Sequence, residues 1–235
     1  IKYKIHRVVV GSLDRNPVVA GKGVMLLKQT GILVEIGCLE DSCLQLNQGF
    51  FKRMKDGLPY VRLKLAMSLD GRTAMQNGES KWITAEKSRL DVHTLRAKSG
   101  AIITGVGTVL ADDPALTVRL EDKEFRGQNF TQPLKVILDA SLHIPLSAKI
   151  FDDPGSVLVC CSKKAKETLK TSLREKDIEV YAVPEVGGRL DLKSILELLA
   201  EKEVNHVMVE CGSTLAGSFI EEGLVDEMWV YIAPV

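Results

Sequence analysis

Residues 191–223, which read DLKSILELLAEKEVNHVMVECGSTLAGSFIEEG, contain the pattern that decides the fold. Asp191 precedes leucines and an isoleucine at helical spacing, which predicts an N-capped amphipathic helix. The apolar run His206–Val209 has the length of a buried strand. Ser213 is predicted to cap a second helix, which Gly223 ends. The order helix, strand, glycine turn, helix is typical of an α/β unit.

The same alternation extends over most of the chain. Nearly continuous runs of β-branched and other apolar residues indicate strands that are buried on both faces, as in a parallel sheet. Stretches with helical periodicity lie between many of them. The sequence therefore predicts an α/β fold with a mostly parallel sheet flanked by helices. The further predicted strands are Val8–Val10, Ile32–Ile36, Tyr60–Ala66, Ala101–Thr104, Leu134–Leu138, Ser156–Cys160, Ile178–Val183 and Glu227–Ile232.

A domain boundary is predicted at Leu58–Pro59. The charged amphipathic stretch Ser42–Gly57 ends there, because a residue before proline avoids the helical region. Residues 1–57 then form a small β-α-β-α piece, with too few elements to close a core alone, and residues 58–235 form a larger α/β domain. The chain starts without Met and stops inside an apolar run, so we expect a segment of a longer protein with an incomplete C-terminus.

Composition excludes several classes of protein. The 235 residues are 45% hydrophobic and 26% charged, which is typical of a folded globular chain. Lys+Arg 31 balances Asp+Glu 31, which argues against a general binder of nucleic acid or anionic membrane. No apolar run reaches the ~18 residues that span a bilayer. The scattered, odd-numbered cysteines predict neither a disulfide framework nor a metal site, and favour the cytoplasm: Cys38, Cys43, Cys160, Cys161 and Cys211.

Two glycine turns are candidates for phosphate binding. The segment Ile103–Val109 (ITGVGTV) lacks the third glycine of the Rossmann motif, because Leu110 stands in its place. The segment Val209–Ser218 (VECGSTLAGS) has the glycine spacing of a P-loop without its lysine. There, a strand that ends in Glu210 leads through a Gly-Ser-Thr turn into a helix. This is either a seat for a pyrophosphate or an ordinary strand–turn–helix connection.

Several charged or aromatic residues are further candidates. Lys64 lies within an apolar run, so it either pairs with a carboxylate or ligand or faces solvent. Asp112–Asp113, at a rigid Asp-Pro turn, could include a carboxyl with a raised pKa or form a surface turn. Arg96 and Arg119 could together bind a phosphate. Trp82 either stacks on a planar ligand or fills the core.

Together these segments resemble one family. Val61–Thr84, Arg96–Arg119, Val209–Gly217 and Gly223–Pro234 are similar to the reductase domain of the bifunctional riboflavin-biosynthesis family RibD. The leading piece, with RVVVGSLDRNPVVAGKG and LNQGFFKRMKDG, resembles the tail of that family's cytidine-deaminase-like domain. The resemblance implies a dihydrofolate-reductase-like domain that uses NADPH to reduce 5-amino-6-(5-phosphoribosylamino)uracil to its ribitylamino counterpart. Zinc and deaminase activity are expected only in the intact protein, because the HxE and PCxxC motifs do not occur in this chain.

The resemblance also implies a set of site residues. Cofactor contacts are expected at Ala66, Trp82, Thr108, Asp112, Gly212, Ser213, Thr214, Leu215, Ala216, Gly217 and Ser218, and substrate contacts at Ser80, Arg96, Leu116, Arg119 and Glu210. A further cofactor position, often serine, is Ala140 here, which departs from the family's pattern.

The predicted roles follow from the reaction. Arg96 and Arg119 are assigned to the substrate's phosphate with help from Ser80, and Glu210 is assigned to ribose hydroxyls. Lys64 and Asp112 are the candidates for charge stabilisation or proton delivery. A homodimer or higher homo-oligomer is expected by analogy, through the strand Met228–Ile232. A pterin or folate reductase and a catalytically silent nucleotide-binding module remain alternatives.

Overall fold

The structure is a computed structural model that describes residues 1–73, 85–119, 131–152 and 155–233. It divides into two compact units, Ile1–Tyr60 and Val61–Val235. This division lies close to the predicted boundary at Leu58–Pro59. The origin of the first unit in a deaminase domain stays a prediction.

The first unit contains two strands and three helices. They are β1 (Arg7–Val10), α1 (Lys22–Gln29), β2 (Leu33–Ile36), α2 (Glu40–Leu46) and α3 (Gln48–Asp56). The strands pair in parallel, with Arg7 opposite Leu33. Helix α3 ends at Gly57, whose φ of +69° is a left-handed conformation that glycine adopts without steric cost.

The second unit is built on a seven-stranded sheet. Its strands are β3 (Tyr60–Ser68), β4 (Ala101–Gly105), β5 (Leu134–Leu138), β6 (Val157–Ser162), β7 (Glu179–Val183), β10 (His206–Glu210) and β11 (Glu227–Ala233). Their order in the sheet is β11-β3-β10-β4-β5-β6-β7. The pairs β11–β3, β10–β4, β4–β5, β5–β6 and β6–β7 are parallel. The predicted mostly parallel α/β architecture is confirmed.

The described residues of this unit also contain six helices and a small hairpin. The helices are α4 (Glu86–Ala97), α5 (Val106–Asp112), α6 (Lys149–Asp152), α7 (Glu167–Arg174), α8 (Leu192–Glu201) and α9 (Ser213–Glu221). Strands β8 (Glu185–Val186) and β9 (Arg189–Leu190) pair around Gly187–Gly188, where both residues have positive φ. Such a glycine pair suits a two-residue hairpin turn, a signal that strand periodicity alone does not reveal.

The central strands form the core because both of their faces are covered. Ile102, Ile137 and Met208, from β4, β5 and β10, pack in one cluster with Val92 and Leu95 of α4. Burial of such side chains contributes roughly 1.5–3 kcal/mol each, which makes this cluster a main source of stability. The central sheet therefore gives its carboxyl edge a rigid support.

The two predicted helix caps have different outcomes. Asp191 is confirmed as the N-cap of α8, because its carboxylate accepts a hydrogen bond from the backbone N–H of Lys193 at 3.2 Å. The prediction that Ser213 is the N-cap of α9 was wrong. Gly212 occupies the cap position with extended backbone angles, and Ser213 is the first helical residue. Glycine is itself accepted at N-caps, and it allows the strand to turn directly into the helix.

Candidate active site

In the sheet, β10 lies between β3 and β4 and runs parallel to β4, so the carboxyl ends of β10 and β4 are at the same edge. Val209 of β10 is level with Ile103 of β4, so both strands end at the same height. Glu210 is the last residue of β10, and Gly105 joins β4 to α5. Open α/β sheets bind their ligands at this edge.

A cluster of three charged residues occupies this edge. Arg96 of α4 forms a two-point contact with Glu210, with Nε–Oε2 at 2.9 Å and Nη2–Oε1 at 2.7 Å. The Nζ atom of Lys64 lies 3.7 Å from Oε1 of the same carboxylate. The side chains of Arg96, Glu210 and Lys64 are only 11%, 15% and 19% exposed. Lys64 is therefore paired with a carboxylate, and two cations against one anion leave a positive excess that favours an anionic ligand.

The ionisation of Glu210 is set by its neighbours. Burial tends to raise the pKa of this carboxyl, but the charges of Arg96 and Lys64 outweigh it and lower the pKa to about 2. Glu210 is therefore a permanent anion at neutral pH. It can accept hydrogen bonds from a ligand but has no proton to donate.

Arg96 also connects α4 to the segment 116–119. Its Nη1 donates to the carbonyl of Thr117 at 3.0 Å. In the same segment Leu116 is buried and has a φ of +51°, a left-handed conformation that costs a non-glycine residue of order 1–3 kcal/mol. The backbone N–H of Arg119 donates to Nδ1 of His93 at 3.2 Å. Contacts to α4 thus hold the segment in a defined conformation.

These contacts distinguish the two arginines that were predicted to bind phosphate. Arg96 uses three of its N–H groups on Glu210 and Thr117, so its first role in this structure is to orient the carboxylate and the segment 116–119. Arg119 is exposed, and its backbone position is fixed by His93. Arg119 is therefore the better placed of the two to meet an anion from solvent.

The two glycine turns lie next to each other. A Cβ atom added to Gly105 would come within 3.4 Å of a methyl group of Leu215, which places the start of α5 beside the start of α9. A Cβ added to Gly107 or Gly212 would meet no atom within 4 Å among the described residues. The first amides of α9 have no intrahelical acceptor, and Gly212 to Thr214 are exposed. This arrangement fits the diphosphate of a dinucleotide.

The other predicted cofactor residues have different surroundings. Ala66, in β3, is opposite Tyr231 of β11 and partly buried. Thr108 and Asp112 lie on α5, also partly buried. The hydroxyl of Ser218 is buried; it accepts from Arg189 at 2.9 Å and donates to the Thr214 carbonyl. Ala216 is buried, and Leu215 and Gly217 are partly buried. Ser80 and Trp82 lie outside the described residues.

Two polar contacts near the cluster are not predictable from the local sequence pattern alone. Tyr231 donates to a carboxylate oxygen of Asp91 at 2.7 Å, and burial together with Asp91 raises the pKa of its hydroxyl. The contact of His93 with Arg119 is the second. The spacing of His93 from Arg96 was the available signal, because residues three apart share a helix face.

Across the four described ranges, no group of three or more His, Cys, Asp or Glu side chains could hold a metal ion. Within the same ranges, no helix has the length and apolar character needed to cross a bilayer. All five cysteines are free.

Comparisons with known proteins give consistent results. Riboflavin biosynthesis protein RibD of Escherichia coli (strain K12) is 43% identical over 98% of this chain and 63% of its own length. The structure of Acinetobacter baumannii RibD, form 1, has a TM-score of 0.87 and 45% identity, and covers 100% of this chain and 62% of that one. The Thermotoga maritima deaminase/5-amino-6-(5-phosphoribosylamino)uracil reductase has a TM-score of 0.80 and 32% identity, over 98% and 60% of the two chains.

The chain thus spans less than two thirds of the length of these relatives. The model of the family described as "RibD C-terminal domain" matches residues 59–235, so the larger unit lies entirely within the match. The resemblance of the larger domain is confirmed, and the chain belongs to the RibD C-terminal domain family.

Proposed function

We propose that this chain is an NADPH-dependent reductase of riboflavin biosynthesis that converts 5-amino-6-(5-phosphoribosylamino)uracil into its ribitylamino counterpart. The observation that carries the proposal is the cluster of Lys64, Arg96 and Glu210, in which Glu210 ends the strand that leads into the glycine turn of α9. The Thermotoga maritima relative is named for the same reductase reaction, which supports this substrate.

The glycine turn supports the choice of a dinucleotide cofactor. Residues Gly212–Ser218 contain no acidic side chain, so nothing in the turn itself repels a diphosphate at the positive end of α9. By resemblance, Thr108 and Asp112 on α5 and Ala66 on β3 would hold other parts of the cofactor. When bound, NADPH supplies the hydride, while the protein supplies position and charge.

The segment 116–119 and Glu210 are assigned to the substrate. Arg119 would bind the phosphate through charge-assisted hydrogen bonds. Glu210 would accept hydrogen bonds from ribose hydroxyls. Arg96 occupies one acceptor site on each oxygen of Glu210. A carboxylate has about four such sites, so Glu210 can still accept hydrogen bonds from a ligand.

Lys64 is assigned to the chemical step. Reduction forms a bond from hydride to C1′, breaks the bond from C1′ to the ring oxygen, and leaves that oxygen in need of a proton. Glu210 is permanently deprotonated and Arg96 permanently protonated, so neither can supply it. The Lys64 ammonium, held 3.7 Å from Glu210, would donate the proton or stabilise the developing negative charge.

The proposal is tested by following the absorbance of the reduced nicotinamide. We expect the chain to oxidise NADPH when 5-amino-6-(5-phosphoribosylamino)uracil is added, and to do so more slowly with NADH. Dihydrofolate serves as the control for a folate reductase. NADPH binding without turnover would instead favour a silent binding module, and turnover with dihydrofolate alone would overturn the choice of substrate.

Replacement of Asp112 by asparagine is expected to lower kcat more than it raises KM. The resemblance places this carboxyl at the cofactor, where its charge would act mainly in the transition state. Steady-state kinetics with both substrates varied would measure the two constants. Asp113→Asn is the matched control, because Asp113 contacts Lys149 instead and should keep both constants near wild type. A larger change in KM than in kcat would make Asp112 a binding residue only.

A homodimer is proposed from the resemblance. Edge strand β11 supports it, because Met228, Val230 and Ile232 are 47%, 39% and 55% exposed, an unusual apolar stripe for an edge. Light scattering after size-exclusion chromatography should give twice the chain mass. A monomer over the whole concentration range would contradict this.

Two further assignments concern the intact protein. The free cysteines support a cytoplasmic location for it. A zinc-dependent deaminase is assigned to the part of the relatives that this chain does not cover.

A further inference from the structure

His93 lies between the two arginines of the site. It projects from α4 one helical turn before Arg96, and its Nδ1 accepts the backbone N–H of Arg119 at 3.2 Å. To accept this hydrogen bond, Nδ1 must carry no proton. The conformation of the segment that ends in Arg119 therefore depends on a neutral imidazole.

The charges around His93 favour that neutral form. Arg96 on the same helix and Arg119 on the neighbouring segment are both cationic, whereas Glu210 on β10 is anionic. Burial and the two arginines lower the pKa of His93, and Glu210 and a hydrogen bond with the backbone of Thr117 offset only part of their effect. The imidazole is thus neutral at pH 7 and takes up a proton only in more acidic solution.

We propose that His93 is a positioning residue for substrate binding, which holds Arg119 through its backbone amide and releases that amide when the imidazole is protonated. The inference rests on the proposed function, because it assigns Arg119 to the substrate's phosphate. Protonation removes the acceptor, and it also adds a cation beside Arg96 and Arg119. Both effects displace Arg119 from the position in which it meets the substrate. KM should therefore rise while kcat stays unchanged.

Two variants separate the hydrogen bond from the titration. In His93→Asn the side-chain carbonyl can replace Nδ1 as acceptor, and it does not titrate. In His93→Leu the acceptor is lost at every pH. The substrate phosphate ionises in the same pH range, but that ionisation affects all three proteins equally and cancels in the comparison.

The experiment measures KM for 5-amino-6-(5-phosphoribosylamino)uracil between pH 8 and pH 5.5. Relative to His93→Asn, the wild-type KM should rise at least fivefold on acidification, and His93→Leu should show the raised KM already at pH 8. Equal pH profiles for wild type and His93→Asn would overturn the inference, as would a change confined to kcat.

A second measurement does not need turnover. Hydrogen exchange of the Arg119 amide, compared at each pH between wild type and His93→Asn, should show loss of protection on acidification in the wild type alone. Unchanged relative protection would overturn the role of His93. If none of the three proteins turned over substrate, the proposed function would fail, and the exchange result alone would decide whether His93 holds the Arg119 amide.

Discussion

Replacement of Arg96 by methionine is expected to destabilise the protein by about 3–5 kcal/mol and to abolish the proposed reductase activity. The change leaves the Glu210 carboxylate 15% exposed, with Lys64 at 3.7 Å as its remaining charged partner in the cluster. Removal of one member of a buried ion pair has this cost because the other charge stays desolvated. Urea unfolding followed by circular dichroism measures the loss.

A triple replacement distinguishes the buried charges from general damage to the core. Arg96→Met combined with Glu210→Leu and Lys64→Met removes all three charges of the cluster, so most of the lost stability should return while activity stays absent. Arg174→Met is the surface control. Both side chains of its ion pair with Glu167 are exposed. Arg174→Met should therefore lose far less stability than Arg96→Met. Equal losses for the two arginine variants would contradict the argument.

The stability difference between wild type and Arg96→Met should depend on pH. In the wild type the folded-state pKa of Glu210 is about 2, below its ordinary value of 4.5, so its stabilising contribution is full above pH 4.5 and is lost as pH falls toward 2. In the variant, the charge of Arg96 no longer opposes the effect of burial on the pKa of Glu210, so the carboxyl protonates at higher pH. The stability difference between wild type and Arg96→Met should therefore be smaller at pH 4 than at pH 7.

Replacement of Arg119 by alanine is the second large effect, and it should appear in KM. A charge-assisted hydrogen bond to phosphate contributes roughly 1.5–3 kcal/mol, which corresponds to an increase in KM of about tenfold to a hundredfold. Steady-state kinetics with the phosphorylated substrate measures it. Stability should change little, because the side chain is exposed.

Two controls make this prediction specific. Arg119→Lys retains the charge but cannot form the bidentate hydrogen bonds of a guanidinium. Its KM should therefore lie between those of wild type and Arg119→Ala. Arg174→Ala removes an arginine from the exposed surface of α7 and should leave KM unchanged. An unchanged KM in Arg119→Ala would remove this residue from the phosphate site.

The arrangement of the sheet was largely predictable from sequence. Each predicted strand, from Val8–Val10 to Glu227–Ile232, overlaps a strand of the structure, because buried parallel strands require nearly continuous apolar runs. The β8–β9 hairpin was missed because two-residue strands carry no periodicity. The cap of α9 was misplaced by one residue because Gly212 and Ser213 are both acceptable caps.

The site was predictable in its residues and less so in their contacts. Lys64, Arg96 and Glu210 come from three separate elements, and no local pattern indicates that one carboxylate meets both cations. The hydrogen bond from Arg119 to His93 joins positions 26 residues apart and depends on how a segment with positive φ folds back onto α4. Such contacts follow from tertiary packing.

The surplus cation at the sheet edge has a consequence for catalytic turnover. In the proposed reaction, substrate and ribityl product carry the same phosphate ester, so the electrostatic attraction acts on both alike and offers no preference for the forward direction. The attraction raises the local concentration of substrate when substrate is scarce. It also slows the release of the product. Competitive inhibition by the product should therefore be pronounced, and added salt should relieve it together with the affinity for substrate.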